Sequence, residues 1–123
     1  MDSIGGNLLA GDKAGWAEGI STDSRTIKPG QVFFALPGDN FDGHDYIDRA
    51  LQAGAAAAII SQPDKIPDGE YAGSIIVVKD TLEALQRLAG TYRQLFHIPI
   101  TAITGSVGKT TTKDILADCL STL

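Results

Sequence analysis

The residues Thr104-Gly105-Ser106-Val107-Gly108-Lys109-Thr110-Thr111-Thr112 have the types and order needed to hold a row of phosphates. Gly105 and Gly108 let the main chain turn tightly, so its N–H groups can approach phosphate oxygens with no Cβ in the way. Lys109 supplies a mobile ammonium group for β- and γ-phosphates, and the Thr110 hydroxyl is placed to ligate Mg²⁺. Ser106, Val107 and Thr111 complete the backbone cradle, and the unpaired N–H groups of a helix starting here add partial positive charge. The expected ligand is ATP with Mg²⁺. The spacing departs from the common pattern, because Ile103 stands where the first glycine is usual. The loop is a shortened variant.

Such a loop works between a strand and a helix. Ile98-Pro99-Ile100-Thr101-Ala102-Ile103 is apolar and β-branched, which predicts a buried parallel strand. Beyond the loop, Ile115, Leu116, Cys119 and Leu120 recur at helical spacing. Upstream, strands are predicted at Gly19–Ser21 entering a polar turn, at Gln31–Leu36, at Ala57–Ile60 and at Ser74–Val78. A helix of about ten residues is expected from His44, with Tyr46, Ile47, Ala50 and Leu51 on one face and Gly54 at its end. Asp80 and Glu83 resemble a capping box opening a helix that runs to Phe96, with Leu82, Leu85, Leu88, Tyr92 and Leu95 on its apolar stripe. Strands alternating with helices give an α/β fold. Its organisation reads as a small α/β domain over 1–80, a bridging helix over 81–97, and over 98–123 the first strand, phosphate loop and helix of a truncated ATP-binding domain.

A chain of 123 residues with 43% hydrophobic and 20% charged residues can bury a real core. A net charge of −5 argues against general affinity for nucleic acid or anionic membranes. Cys119 is the single cysteine, so no internal disulfide and no cysteine-based zinc site can form. No apolar run approaches membrane-spanning length and the first residues lack a signal-peptide pattern. A cytoplasmic protein is expected. Trp16 and Cys119 read as packing residues, and His44 as a helix start rather than a catalytic base.

The motifs Asp23-Ser24-Arg25, Pro29 through Gly38, Phe41-Asp42-Gly43-His44-Asp45-Tyr46 and Gly54-Ala55-Ala56, followed by the loop at 104–114, resemble the Mur ligases. These are ATP-dependent amide-bond-forming enzymes of peptidoglycan synthesis. The resemblance runs from about Gly5 to Leu123, and within the family the phosphate loop looks most like the branch that adds D-alanyl-D-alanine to UDP-N-acetylmuramoyl tripeptide. It implies a three-domain enzyme in which ATP converts a substrate carboxylate to an acyl phosphate that an amine attacks. It further implies that Gly105 through Thr111 hold the ATP phosphates, with Lys109 and Thr110 in the catalytic roles. Thr22 and Ser24, with the Asp39-Asn40-Phe41 loop, would hold the uridine end of the nucleotide-sugar peptide. Val107 departs from the polar residue many members carry there. Met1 through Gly6 resemble the tail of the family's opening helix. These 123 residues would be a fragment without ligase activity of its own, from an enzyme that is monomeric at full length. Alternatives are the family branch that adds the third amino acid, a stand-alone uridine-nucleotide module, and a small phosphate-loop NTPase.

Overall fold

The computed structural model describes residues 5–10, 16–66 and 68–121. Met1 through Ile4, which resemble the tail of an opening helix, lie outside them, as do Thr122 and Leu123. Among the described residues five strands form one sheet: β1 (Asn7–Ala10), β2 (Gly19–Ser21), β3 (Gln31–Phe34), β4 (Ala57–Ile60) and β5 (Ser74–Val77). Their order is β1-β5-β4-β3-β2; β2 through β5 run parallel and β1 pairs antiparallel with β5. Three α-helices accompany them, α1 (Ile47–Gln52), α2 (Thr81–Gln94) and α3 (Lys109–Ser121).

The pleat sorts the side chains onto two faces. Phe33, Ala35, Ala58, Ile60 and Ile75 pack against Ile47, Ala50 and Leu51 of α1. Phe34, Ile59 and Val78 pack on the other face against Ala84, Leu85 and Leu88 of α2. β4 is buried at all four positions, which is why it reads as an unbroken apolar run rather than an alternating one. The Asp80 carboxylate caps α2 by accepting the Glu83 N–H at 2.8 Å. Glu83 itself pairs with Arg87 at 2.6 Å, so only one half of the expected capping box forms.

Several expectations are corrected. The helix from His44 is a 3-10 turn over Gly43–Tyr46 leading into the six-residue α1. β1 was not foreseen. No strand forms over 98–103, because a strand is completed by a ladder and no described residue pairs with this segment. On α2 only the middle of the stripe, Leu85 and Leu88, is packed: Leu82, Tyr92 and Leu95 are exposed. Trp16 and Cys119 are exposed rather than packed. No described residue beyond Ala84 is buried.

Candidate functional site: a cavity at the strand ends

Parallel strands deliver their following loops to one edge of the sheet, the edge where open α/β folds bind ligands. Here the turn after β2 and the loop after β3 enclose a cavity of about 390 Å³. Thr22, Ser24 and Arg25 come from the turn, Phe41 from the loop, Gly43 and Tyr46 from the 3-10 turn that follows it, and Arg49 from α1. Phe33, at the end of β3, joins this lining to the core below.

The turn after β2 is tied by its own residues. The Ser21 hydroxyl donates to the Asp23 carbonyl at 3.0 Å and accepts the Asp23 N–H at 3.2 Å. The Asp23 carboxylate accepts the Arg25 N–H at 2.9 Å and takes the guanidinium in a two-pronged pair, 2.9 Å from Nε and 2.7 Å from Nη2. The Arg25 side chain, then its backbone N–H, hold the Asp23 carboxyl down at about 2. Asp23 and Arg25 thus form the capped turn itself, and that turn presents Thr22 and Ser24. Ser24 is buried, and its hydroxyl has no hydrogen bond among the described residues.

Phe41 is 74% exposed, so it is a rim residue with an open ring face and not a core anchor. Asp39 and Asn40 share its loop but are exposed and do not line the cavity. Three polar lining residues, Arg25, Tyr46 and Arg49, were not among the site residues expected from sequence. A basic residue near a helix start reads as a solvated face; the available signal was the three-residue spacing of Tyr46 and Arg49, which puts both on one side. With Arg25, Arg49 and Asp23 at its wall, the cavity carries one net positive charge.

Beside the cavity, Asp42, His44 and Ser61 have the look of a hydrolytic triad. Asp42 Oδ1 lies 2.6 Å from His44 Nδ1, and Ser61 Oγ lies 3.2 Å from His44 Nε2. The resemblance fails on one bond. The Ser61 backbone N–H donates to Nε2 at 2.9 Å, so that nitrogen's lone pair is engaged and the ring proton sits on Nδ1, facing Asp42. A general base needs that lone pair free. His44 is 1% exposed, a buried clamp between the loop after β3 and the end of β4. Burial would push the Asp42 carboxyl up, but hydrogen bonds from Lys65, the His44 N–H and the His44 ring together hold it well below the carboxylate range.

The phosphate-loop residues form a second, separate feature. Gly105 and Gly108 have φ of 155° and 77°, the latter in the left-handed region that glycine tolerates. α3 begins at Lys109, the Thr112 N–H bonds the Gly108 carbonyl at 2.9 Å, and the N–H groups of 106–111 have no acceptor among the described residues. Lys109 Nζ rests on the Gly105 carbonyl at 2.6 Å. Lys109 and Thr110 line a groove of about 240 Å³ with Thr101, Ile103 and Lys113.

A five-stranded mixed sheet whose strand-end loops wall a cationic cavity, followed by a glycine-lysine loop opening a helix, defines an α/β protein. The family model described as "Mur ligase family, catalytic domain" matches residues 17–93, and the chain belongs to the Mur ligase family. It is 48% identical over 102 residues to the UDP-N-acetylmuramoyl-tripeptide–D-alanyl-D-alanine ligase of Synechocystis sp., covering 83% of this chain and 22% of that relative. It is also 39% identical over 97 residues to the UDP-N-acetylmuramoyl-L-alanyl-D-glutamate–2,6-diaminopimelate ligase of Geobacter metallireducens, covering 77% of this chain and 18% of the relative. Among solved structures it superposes on MurF ligase from Thermotoga maritima in complex with ADP with a TM-score of 0.74 and 31% identity, over 99% of this chain and 25% of that one. The chain spans about a fifth of the length of the Synechocystis and Geobacter ligases.

Proposed function

We propose that this chain is the uridine-nucleotide-binding part, together with the opening of the ATP-binding part, of a ligase that joins D-alanyl-D-alanine to UDP-N-acetylmuramoyl tripeptide. The observation that carries the reading is the cavity: hydroxyls of Thr22 and Ser24, the cations Arg25 and Arg49, and the open ring of Phe41 on one wall set. Hydroxyls suit the carbonyl and imide edges of a pyrimidine, an aromatic ring suits its face, and arginines suit a diphosphate. Asp39 and Asn40 would approach a bound ligand from the same loop as Phe41.

ATP fits the second feature, since a row of unpaired N–H groups with a lysine at a helix start is an anion cradle. Residues 105–111 would hold its phosphates and Thr110 would supply one ligand to Mg²⁺. When bound, ATP supplies the phosphoryl group that activates the peptide carboxylate. Lys109, now on the Gly105 carbonyl, would neutralise phosphate charge. On this reading residues 1–80 receive the uridine nucleotide, 81–97 bridge, and 98–123 begin the ATP-binding domain of a monomeric cytoplasmic enzyme that engages neither nucleic acid nor membrane. Among the described residues no helix is long and apolar enough to cross a membrane.

Titration calorimetry of the 123-residue chain with UDP tests the cavity. Binding is expected, weakened about tenfold by Arg49→Ala, the size of one charge-assisted hydrogen bond. Unchanged affinity in that variant refutes the assignment. The similarity to a diaminopimelate-adding relative favours a second reading, the branch that installs the third amino acid. Offering the whole enzyme each amine in turn, and measuring phosphate release, separates the two.

A further inference from the structure

Phe41 is 74% exposed at the cavity rim, so little side-chain packing fixes it and the main chain on either side largely sets its position. Its neighbour Asp42 is a carboxylate bonded to three other residues, His44, Gln62 and Lys65. Asp42 accepts the His44 N–H at 3.0 Å and faces the His44 ring at 2.6 Å. It also accepts Gln62 Nε2 at 3.2 Å and Lys65 Nζ at 2.8 Å, and Lys65 reaches on to Asp45 at 2.6 Å. One residue further, a Cβ on Gly43 would stand 2.7 Å from the Leu36 nitrogen, so the loop is pressed against the end of β3.

Three routes therefore tie the Phe41 loop to the segment after β4, one of them the direct bond from Gln62 to Asp42. The buried route runs through His44 to the Ser61 backbone. The outer route runs through Lys65, whose side chain is one-third exposed. We infer that Lys65, on the turn after β4, is a positioning residue for the uridine-nucleotide cavity, holding Phe41 at the rim through Asp42. The inference rests on that cavity receiving a uridine nucleotide. Lys65 does not line the cavity, so it acts on the ligand only through the loop. Its loss leaves the His44 clamp and both cores in place.

The test is calorimetric titration of uridine and of UDP into the 123-residue chain and its variants, at a temperature where melting curves show each folded. Lys65→Met is expected to weaken both ligands by the same factor, about fivefold, the cost of reordering a rim side chain and its loop on binding. Lys65→Arg restores affinity. In a Phe41→Ala background Lys65→Met has no further effect, because residues acting through one another are non-additive. A Lys65→Met effect that persists in full without Phe41 overturns the inference. So does a loss larger for UDP than for uridine and sensitive to salt, which would mark a direct charge effect on phosphate. If the unaltered chain binds neither ligand, the cavity reading itself falls and takes this inference with it.

Discussion

Replacing His44 by alanine separates a structural clamp from a catalytic base, and the structure sets the size of the effect. The ring is 1% exposed and bridges Asp42 to the Ser61 backbone, 2.6 Å and 2.9 Å away. Removing it strands the Ser61 N–H in a part-buried position, a loss of about 1–3 kcal/mol. Deleting the packed ring adds about 1–2 kcal/mol of lost contacts and cavity. Asp42 keeps its bonds to Lys65, Gln62 and the residue 44 N–H, so its charge is not abandoned. A net loss of roughly 3 kcal/mol corresponds to a drop in melting temperature of about 12 °C for a chain of this size. Ser61→Ala removes only the hydroxyl and spares the N–H donor, so its expected change stays within about 0.5 kcal/mol. Thermal unfolding followed by circular dichroism reads both, and an activated-ester assay run alongside reads any hydrolysis. A His44→Ala shift below about 3 °C would refute the clamp, given the burial and bonds that set the estimate. Ester hydrolysis abolished by Ser61→Ala would refute it from the other side.

Three further outcomes follow from single contacts. The Asp23 carboxyl should titrate near 2 by carbon-detected NMR and move up toward 3.8 in Arg25→Gln, since the Arg25 side chain is the largest cause of its depression. Because that folded-state value lies below the unfolded one, any stability it lends is present above pH 3.8 and fades as pH falls through about 2. Gly73→Ala would place a Cβ 2.4 Å from the Ala55 carbonyl oxygen and 2.8 Å from Leu51 Cδ2, at the entry to β5. A destabilisation of roughly 3 kcal/mol is expected in urea, the upper end of ordinary overpacking, and a neutral result would show that the backbone there can shift. Asp80→Ala removes the cap of α2 and should cost about 1 kcal/mol, with Asp80→Asn recovering most of it.

What could be read in advance follows from where each signal resides. β3, β4 and β5 were legible as unbroken apolar runs, because both faces of the sheet are covered, and α2 because its apolar residues recur at the helix period. β1 escaped because Leu8-Leu9 is a two-residue apolar step whose strand character comes from β5 beside it. The opposite failure befell Ile98 through Ile103 and the Tyr92–Leu95 end of α2. Periodicity states which side chains would share a face; it does not state that a partner covers that face. Of the cavity's lining, Thr22, Ser24 and Phe41 were reachable only through the family resemblance of the motifs around them, since their local pattern reads as an ordinary polar turn and loop. Arg49 was signalled only by its three-residue spacing from Tyr46, which does not by itself separate it from a solvated helix charge. The bonds from Asp42 to Lys65 and from His44 to Ser61 span 23 and 17 positions, distances over which no local pattern operates.

The cavity's two walls are held in different ways, and that difference governs how a ligand acts on the protein. The turn over 22–25 is secured by bonds between residues two apart, Ser21 with Asp23 and Asp23 with Arg25. The loop over 36–43 is secured at its root by the Gly43 N–H on the Leu36 carbonyl at 2.9 Å and across the sheet edge by Lys65 and His44. Among the described residues no hydrogen bond crosses from the first wall to the second. A ligand that touches Thr22 or Ser24 on one side and Phe41 on the other would itself be that cross-link. Binding only the assembled arrangement, it stabilises the fold by mass action, about 2.7 kcal/mol at a hundredfold excess over its dissociation constant. The added protection belongs in the amides of both walls together, whereas a ligand held by one wall would protect that wall alone.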